Sequence, residues 1–215
     1  MSAQDTATRY RSEIAALTKC DTPHLRALRK VWSQALKTES AEHVVAIAEA
    51  LEAVSPQEGK WLAYELIRHH KGALAEVSQL LVERFAGRAA SWCAVDALGT
   101  TLTGPLWAKG RLPDALFDAW SRSENRWLRR SALVATVGLN ASGADPGRTL
   151  PLCLRLADDR DDMVEKAVSW ALRYLSQRDR DAVVAFMDEH GGEFRARVRR
   201  EVRNKLTSGL KNPKG

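Results

Sequence analysis

The sequence predicts an all-α fold in which short helices pack as stacked antiparallel pairs, an α-α repeat solenoid. Three observations carry this. Sustained two-residue alternation and the Asn-Gly or Asp-Gly turns of hairpins are absent. Apolar residues recur at helical spacing, as in Leu25, Leu28, Val31 and Trp32, or in Trp61, Tyr64, Leu66 and Ile67. One segment also repeats itself further along the chain. The 215 residues, 45% apolar and 28% charged, suffice to bury a core and are too apolar for a disordered chain.

Taken in order, residues 1–19 bring acidic residues early and no apolar stretch, so no secretory signal is expected. Thr22-Pro23 and Ser55-Pro56 each place a capping side chain before a proline, predicting helix starts at both. Gly72, Gly87, Gly110 and the Gly191-Gly192 pair punctuate later segments. The pattern gives about eleven or twelve helices of roughly 10–17 residues, with the longest loop over Asn140–Pro146. No apolar run reaches the roughly 18–20 residues that span a bilayer. Cys20, Cys93 and Cys153 are odd in number and lack a CxxC spacing, which reads as buried thiols in a reducing cytosol.

The repeat emerges when Asn125-Arg-Trp-Leu-Arg-Arg-Ser-Ala-Leu is set against Asp161-Asp-Met-Val-Glu-Lys-Ala-Val-Ser, an offset of 36 residues. Each has a polar start, an apolar pair, a cation and then small residues. The second copy resembles the second helix of a HEAT repeat, where an early Asp caps the helix and the cation lines the concave surface. A helix pair cannot bury its apolar face alone, so stacking must supply the core. The expected architecture is a HEAT-like superhelix of about five to six helix pairs. One domain is expected over residues 1–208, with a flexible basic tail over 209–215.

The formal net charge of +6 is concentrated. From Glu193 onward, Arg195, Arg197, Arg199, Arg200, Arg203, Lys205, Lys211 and Lys214 face only Glu193 and Glu201, and the rest of the chain balances. Such a footprint suits a polyanion, although a solvated helix face with a basic end has the same composition.

Several chemistries are excluded by pattern. The histidines are scattered or, at His69-His70, adjacent and so divergent on a helix. HExxH, GxxxxGK[ST], GxGxxG and GxSxG do not occur. No metal and no cofactor is expected. What stands out is Ser91-Trp-Cys-Ala-Val-Asp96-Ala-Leu, in which Trp92 and Asp96 share a helix face in apolar surroundings. Arg130, Lys166, Trp170 and Arg173 add cations and an indole at helical spacings. Indole faces attract cationic rings, a carboxylate stabilises a sugar cation, and arginines hold phosphates. The same arginines equally suit ion pairs with acids on neighbouring helices, and Trp32, Trp61, Trp107, Trp120 and Trp127 read as core or groove filling.

Ser91-Trp-Cys-Ala-Val-Asp96, Trp127-Leu-Arg-Arg130-Ser-Ala and Lys166-Ala-Val-Ser-Trp170-Ala-Leu-Arg173 resemble, in order and spacing, three blocks of the AlkD-like bacterial DNA alkylation repair glycosylases. The resemblance implies a HEAT-like DNA glycosylase of base excision repair, which hydrolyses the N-glycosidic bond of 3-methyladenine and 7-methylguanine in duplex DNA. It implies Asp96 as the catalytic aspartate. Trp92 and Trp170 are implied as the indoles packing on the lesion nucleotide, with Tyr10 as a further packing residue. Arg130 is implied near the DNA backbone, and Lys166, Arg173, Arg199 and Arg203 join it as expected phosphate contacts. Cys93 departs from the pattern, since relatives often carry a second acid there. The implied state is a cytoplasmic, nucleoid-associated monomer without an obligate protein partner. Two alternatives stand beside it: a non-catalytic DNA-binding relative, and a HEAT-type scaffold for proteins.

Overall fold

The computed structural model describes residues 1–213, which divide into two compact units, Met1–Arg88 and a second from Ala89 onward. No strand occurs among the described residues, and no helix there is long and apolar enough to cross a membrane.

The first unit comprises α1 (Ala3–Ala15), α2 (Thr22–Ala35), α3 (Ala41–Val54), α4 (Gln57–His69), α5 (Lys71–Glu76) and α6 (Gln79–Arg88). Ser2 opens α1 with a capping box to Asp5, and Ser40 caps α3 through the His43 amide. The two Pro-based starts differ from expectation. Asp21, not Thr22, caps α2, and Ser55 makes no capping bond to α4, where Pro56 holds the cap position. The core gathers Val44, Ile47 and Leu51 of α3 with Leu62, Leu66 and Ile67 of α4, all nearly inaccessible. Glu52 is buried among them and is neutralised by Lys60 and Arg88, each at 2.6 Å.

The second unit comprises α7 (Trp92–Leu98), α8 (Gly104–Ala108), α9 (Asp114–Ser121), α10 (Arg126–Leu139), α11 (Pro146–Arg155), α12 (Asp162–Leu175), α13 (Arg180–His190) and α14 (Ala196–Ser208). The short helices α5, α7 and α8 escape a reading that seeks longer periodic runs. At the centre lies α10, buried without interruption from Arg130 to Leu139 and packed against α7, α8, α9, α11 and α12. The repeat offset appears in the elements themselves. Both α10 and α12 have 14 residues, begin 36 residues apart, and are capped by Asn125 and Asp161 at the same offset. The loop after α10 is where the sequence places it, tied down by buried Asn140, which donates to Thr149 Oγ1 at 2.8 Å and accepts from the Asp145 amide.

The residues at the start of the expected tail make contacts with α14. Gly209 closes α14 in a left-handed conformation (φ 74°), and the Asn204 amide donates to the Lys211 carbonyl at 3.0 Å. Lys211 pairs with Glu201, while residues 214 and 215 lie outside the described residues.

The segment Gly99–Thr103 joins α7 to α8 as a π-turn, the Gly104 amide reaching the Gly99 carbonyl. Backbone contact with α10 accompanies it. A Cβ on Gly138 would lie 2.5 Å from the Gly99 carbonyl oxygen, and one on Gly104 would lie 2.4 Å from that of Ala135. The cost of Gly138→Ala is expected at about 1–3 kcal/mol, because the obstructing atoms are backbone. Gly87→Ala, in open space within α6, is expected instead to add about 0.5–1 kcal/mol. Denaturant melts of the two variants, compared with the parent, check these opposite signs.

Candidate active site

Ser91 starts α7 by accepting from the Ala94 amide, which sets the helical register of the next turns. Trp92 leads that helix with its side chain largely in solvent, 55% exposed, an unusual place for an indole. One turn later, Asp96 has a side chain only 20% exposed. Its carboxylate accepts a two-pronged bond from Arg130 of α10: Nε to Oδ1 at 3.0 Å and Nη2 to Oδ2 at 3.0 Å. The third nitrogen, Nη1, donates to the Met163 carbonyl in the opening turn of α12. Arg130 is 5% exposed, so one buried guanidinium joins α7, α10 and α12. Thr100 Oγ1 donates to the Asp96 carbonyl at 2.7 Å and ties the aspartate to the π-turn.

Two opposing effects act on this carboxyl. Burial pushes the Asp96 pKa up from the ordinary aspartate value, and the charge and hydrogen bonds of Arg130 pull it back. Burial wins, so the net direction is upward. Trp170, half-buried on α12, lies seven residues after Met163 and hence on the same side of that helix. A fixed carboxylate with a partly open edge and an exposed indole on its own helix face can stabilise a nearby positive charge; nothing in it resembles a nucleophile–base pair. Among the described residues, no group of three His, Cys, Asp or Glu side chains could hold a metal ion.

A family model for DNA alkylation repair enzymes matches residues 3–206. The chain belongs to that family. Its fold is shared with a solved structure from Enterococcus faecalis titled a predicted DNA alkylation repair enzyme. The identity is 20%, covering 97% of this chain and 98% of the other, with a TM-score of 0.71. No curated protein matches the chain in sequence. Membership of the alkylation repair family gives a role in repairing alkylated DNA.

Within this family member, the structure places the remaining expected residues unevenly. Arg130, expected near the DNA backbone, is buried, with its guanidinium engaged by Asp96 and the Met163 carbonyl. Lys166 is exposed and paired with Asp162 at 2.6 Å. Arg173 is mostly buried, donates to Ser169 at 3.1 Å and lies 3.9 Å from Glu201, and burial lowers its pKa. Arg199 and Arg203 are exposed. Tyr10 is 1% exposed in the first unit, stacked on Trp32 with centroids 3.9 Å apart, so the ring expected against a lesion packs the core instead. The reason is local: Ala7, Tyr10 and Ile14 form the inward stripe of α1. Trp32, Trp107 and Trp120 are core as expected, whereas Trp61 and Trp127 are half-buried. Of the thiols, Cys153 is buried, Cys93 half-buried and Cys20, in the loop after α1, exposed.

The Met163 carbonyl and Thr100 escape sequence reasoning, since neither carries a chemical signature. The partner of Asp96 does carry one: Arg130 follows it by 34 residues, close to the repeat offset. Removing the guanidinium leaves a shielded carboxylate unpaired, so Arg130→Met is expected to cost about 2–4 kcal/mol at neutral pH. The sign with pH follows from the raised pKa. In the variant Asp96 titrates still higher, and as pH falls through that value it takes up a proton and ceases to be a buried charge. The gap in melting temperature between parent and variant should therefore narrow from pH 7 towards pH 5. A gap that is constant or widens contradicts the pairing.

Proposed function

We propose that this chain is a DNA glycosylase acting on duplex DNA, hydrolysing the N-glycosidic bond of cationic N-alkylated purines such as 3-methyladenine and 7-methylguanine. The observation that carries the reading is the Asp96 carboxylate, clamped by Arg130 and bordered on its own helix face by the exposed Trp92. A purine alkylated at a ring nitrogen already bears positive charge. It needs little acid assistance, because the C1′–N bond breaks with its electron pair returning to the base, which leaves neutral. Positive charge then grows on the sugar, and a fixed anion beside it lowers the barrier.

Asp96 is suited to that work. Each of its oxygens gives one lone-pair direction to Arg130 and retains another. The guanidinium lowers its basicity and fixes its position, so it acts as an anion that orients water rather than as a strong base. Water bonds to C1′ and loses its proton to solvent. Trp92 and Trp170 pack on the lesion-bearing nucleotide, and the chain works as a monomer without a cofactor. Family membership supports this substrate class, as does the block of residues around Asp96.

One observation favours a second reading, a relative that binds DNA without cutting it: both Asp96 oxygens are already engaged, as in a structural ion pair. Single-turnover release of 7-methylguanine from methylated duplex DNA separates the two. The parent is expected to release the base, and Asp96→Asn to bind the duplex while losing about 100-fold or more in rate. Binding without release by the parent would support the second reading, and undiminished release by Asp96→Asn would remove Asp96 from the mechanism.

A further inference from the structure

The contacts of α7 and the π-turn with α10 follow a register. Asp96 meets Arg130. A Cβ on Gly99 would lie 2.6 Å from Val134 Cγ1, and one on Gly104 would lie 2.6 Å from the Gly138 Cα. Partners on the two segments rise in number together, so α7 and the π-turn run parallel to α10, as equivalent helices of successive repeats do. Followed one turn back towards the helix starts, the register sets Trp92, which precedes Asp96 by one turn, beside Trp127, which precedes Arg130 by one turn. The caps agree with it: Ser91 opens α7 just before Trp92, and Asn125 opens α10 just before Arg126 and Trp127.

Trp127 thus stands at the same end of the clamp as Trp92, and it is not used as core. Trp32 and Trp107 are nearly inaccessible, whereas Trp127 is half-buried. One face of its ring is already covered. The Arg126 guanidinium carbon lies 4.7 Å from the ring centroid, and Arg126 Nη1 donates at 3.2 Å to Asp161, the cap of α12. A cation held by the neighbouring helix therefore sets the plane of the indole before any ligand arrives. A large apolar ring left partly in water at this end of a fixed carboxylate gives the fold less than a buried one would, and a flat ligand would complete its burial.

We propose that Trp127 is a third substrate-packing indole, which borders the open edge of Asp96 together with Trp92 and selects the alkylated nucleotide over an undamaged one. The inference rests on the glycosylase reading for the identity of the ligand. The electron-poor ring of a cationic purine is held more strongly by an indole than a neutral purine is. Trp127 therefore acts on the difference between alkylated and undamaged duplex, and general affinity for DNA does not depend on it.

The test uses the full chain and two fluorescein-labelled duplexes. One is undamaged, and the other carries a single 2′-deoxy-2′-fluoro-7-methylguanosine, whose fluorine disfavours the sugar cation and keeps the base attached. Anisotropy gives the ratio of affinities for the two duplexes in each protein. Trp127→Leu keeps apolar bulk and removes the ring; it is expected to lower the ratio about fivefold or more, with binding of the undamaged duplex close to that of the parent. Trp127→Phe restores a ring and is expected to stay within about twofold of the parent ratio. An unchanged ratio in Trp127→Leu overturns the proposal, and so does an equal loss in Trp127→Phe. A parent that binds both duplexes alike, or a Trp127→Leu variant that loses both in proportion, overturns it as well. Release of 7-methylguanine by the parent is read separately, and its absence alongside a ring-dependent ratio sinks the glycosylase reading alone.

Discussion

A guanidinium cannot be shut away from water without an anion, and Arg130 is almost wholly shut away. Much of the second unit depends on how that requirement is met. The carboxylate comes from α7 and a carbonyl from the start of α12, so the pairing sets the relation of three helices around α10. Asp96 is thereby held by a planar fork, with fewer rotational alternatives than a lysine partner would leave it. The same geometry leaves the carboxylate partly shielded, the condition in which a fixed charge acts most strongly on a neighbouring one. The glycine contacts of α10 with the π-turn and the start of α8 follow directly on α7, so packing and chemistry are joined in one short stretch of chain.

The Asp96–Arg130 pair is one member of a series. Arg84 with Glu49 and Arg88 with Glu52 in the first unit are separated by 35 and 36 residues. Arg126 with Asp161 and Arg197 with Asp162 in the second are each separated by 35. In each case a cation on one helix meets an acid about one repeat away. Stacked repeats contact only their neighbours, so interhelix partners recur at the period of the fold. Most of these pairs are exposed enough to contribute little to stability. The pair at Asp96 is the one whose acid stands, on the proposed reading, beside the reacting sugar.

Much of this was legible in the sequence. The 36-residue offset located α10 and α12, and the apolar surroundings of Asp96 marked it as a carboxylate that required a partner. The identity of that partner was within reach, because Arg130 lies nearly one repeat on, but composition alone left each arginine equally suited to a phosphate contact and to an ion pair. The distinction between Arg197, which clamps a helix, and Arg199, which faces outward, depends on which side of α14 meets α12. Charge counting has no access to that. Tyr10 misled for a similar reason: an aromatic near the N-terminus reads alike whether it packs on a neighbour or on a ligand, and only the stack with Trp32 decides. The π-turn and the short α7 and α8 were illegible because they depend on close backbone approach rather than on periodicity.

The central claim is that Asp96 works as an anion whose ionisation is set by burial against Arg130. The pH dependence of single-turnover 7-methylguanine release, corrected for spontaneous loss, tests it most directly. The account predicts an acid limb above the ordinary aspartate value of about 3.9, because burial raises the Asp96 pKa, and a limb at still higher pH in Arg130→Met. A limb that sits in the same place in both proteins would contradict it.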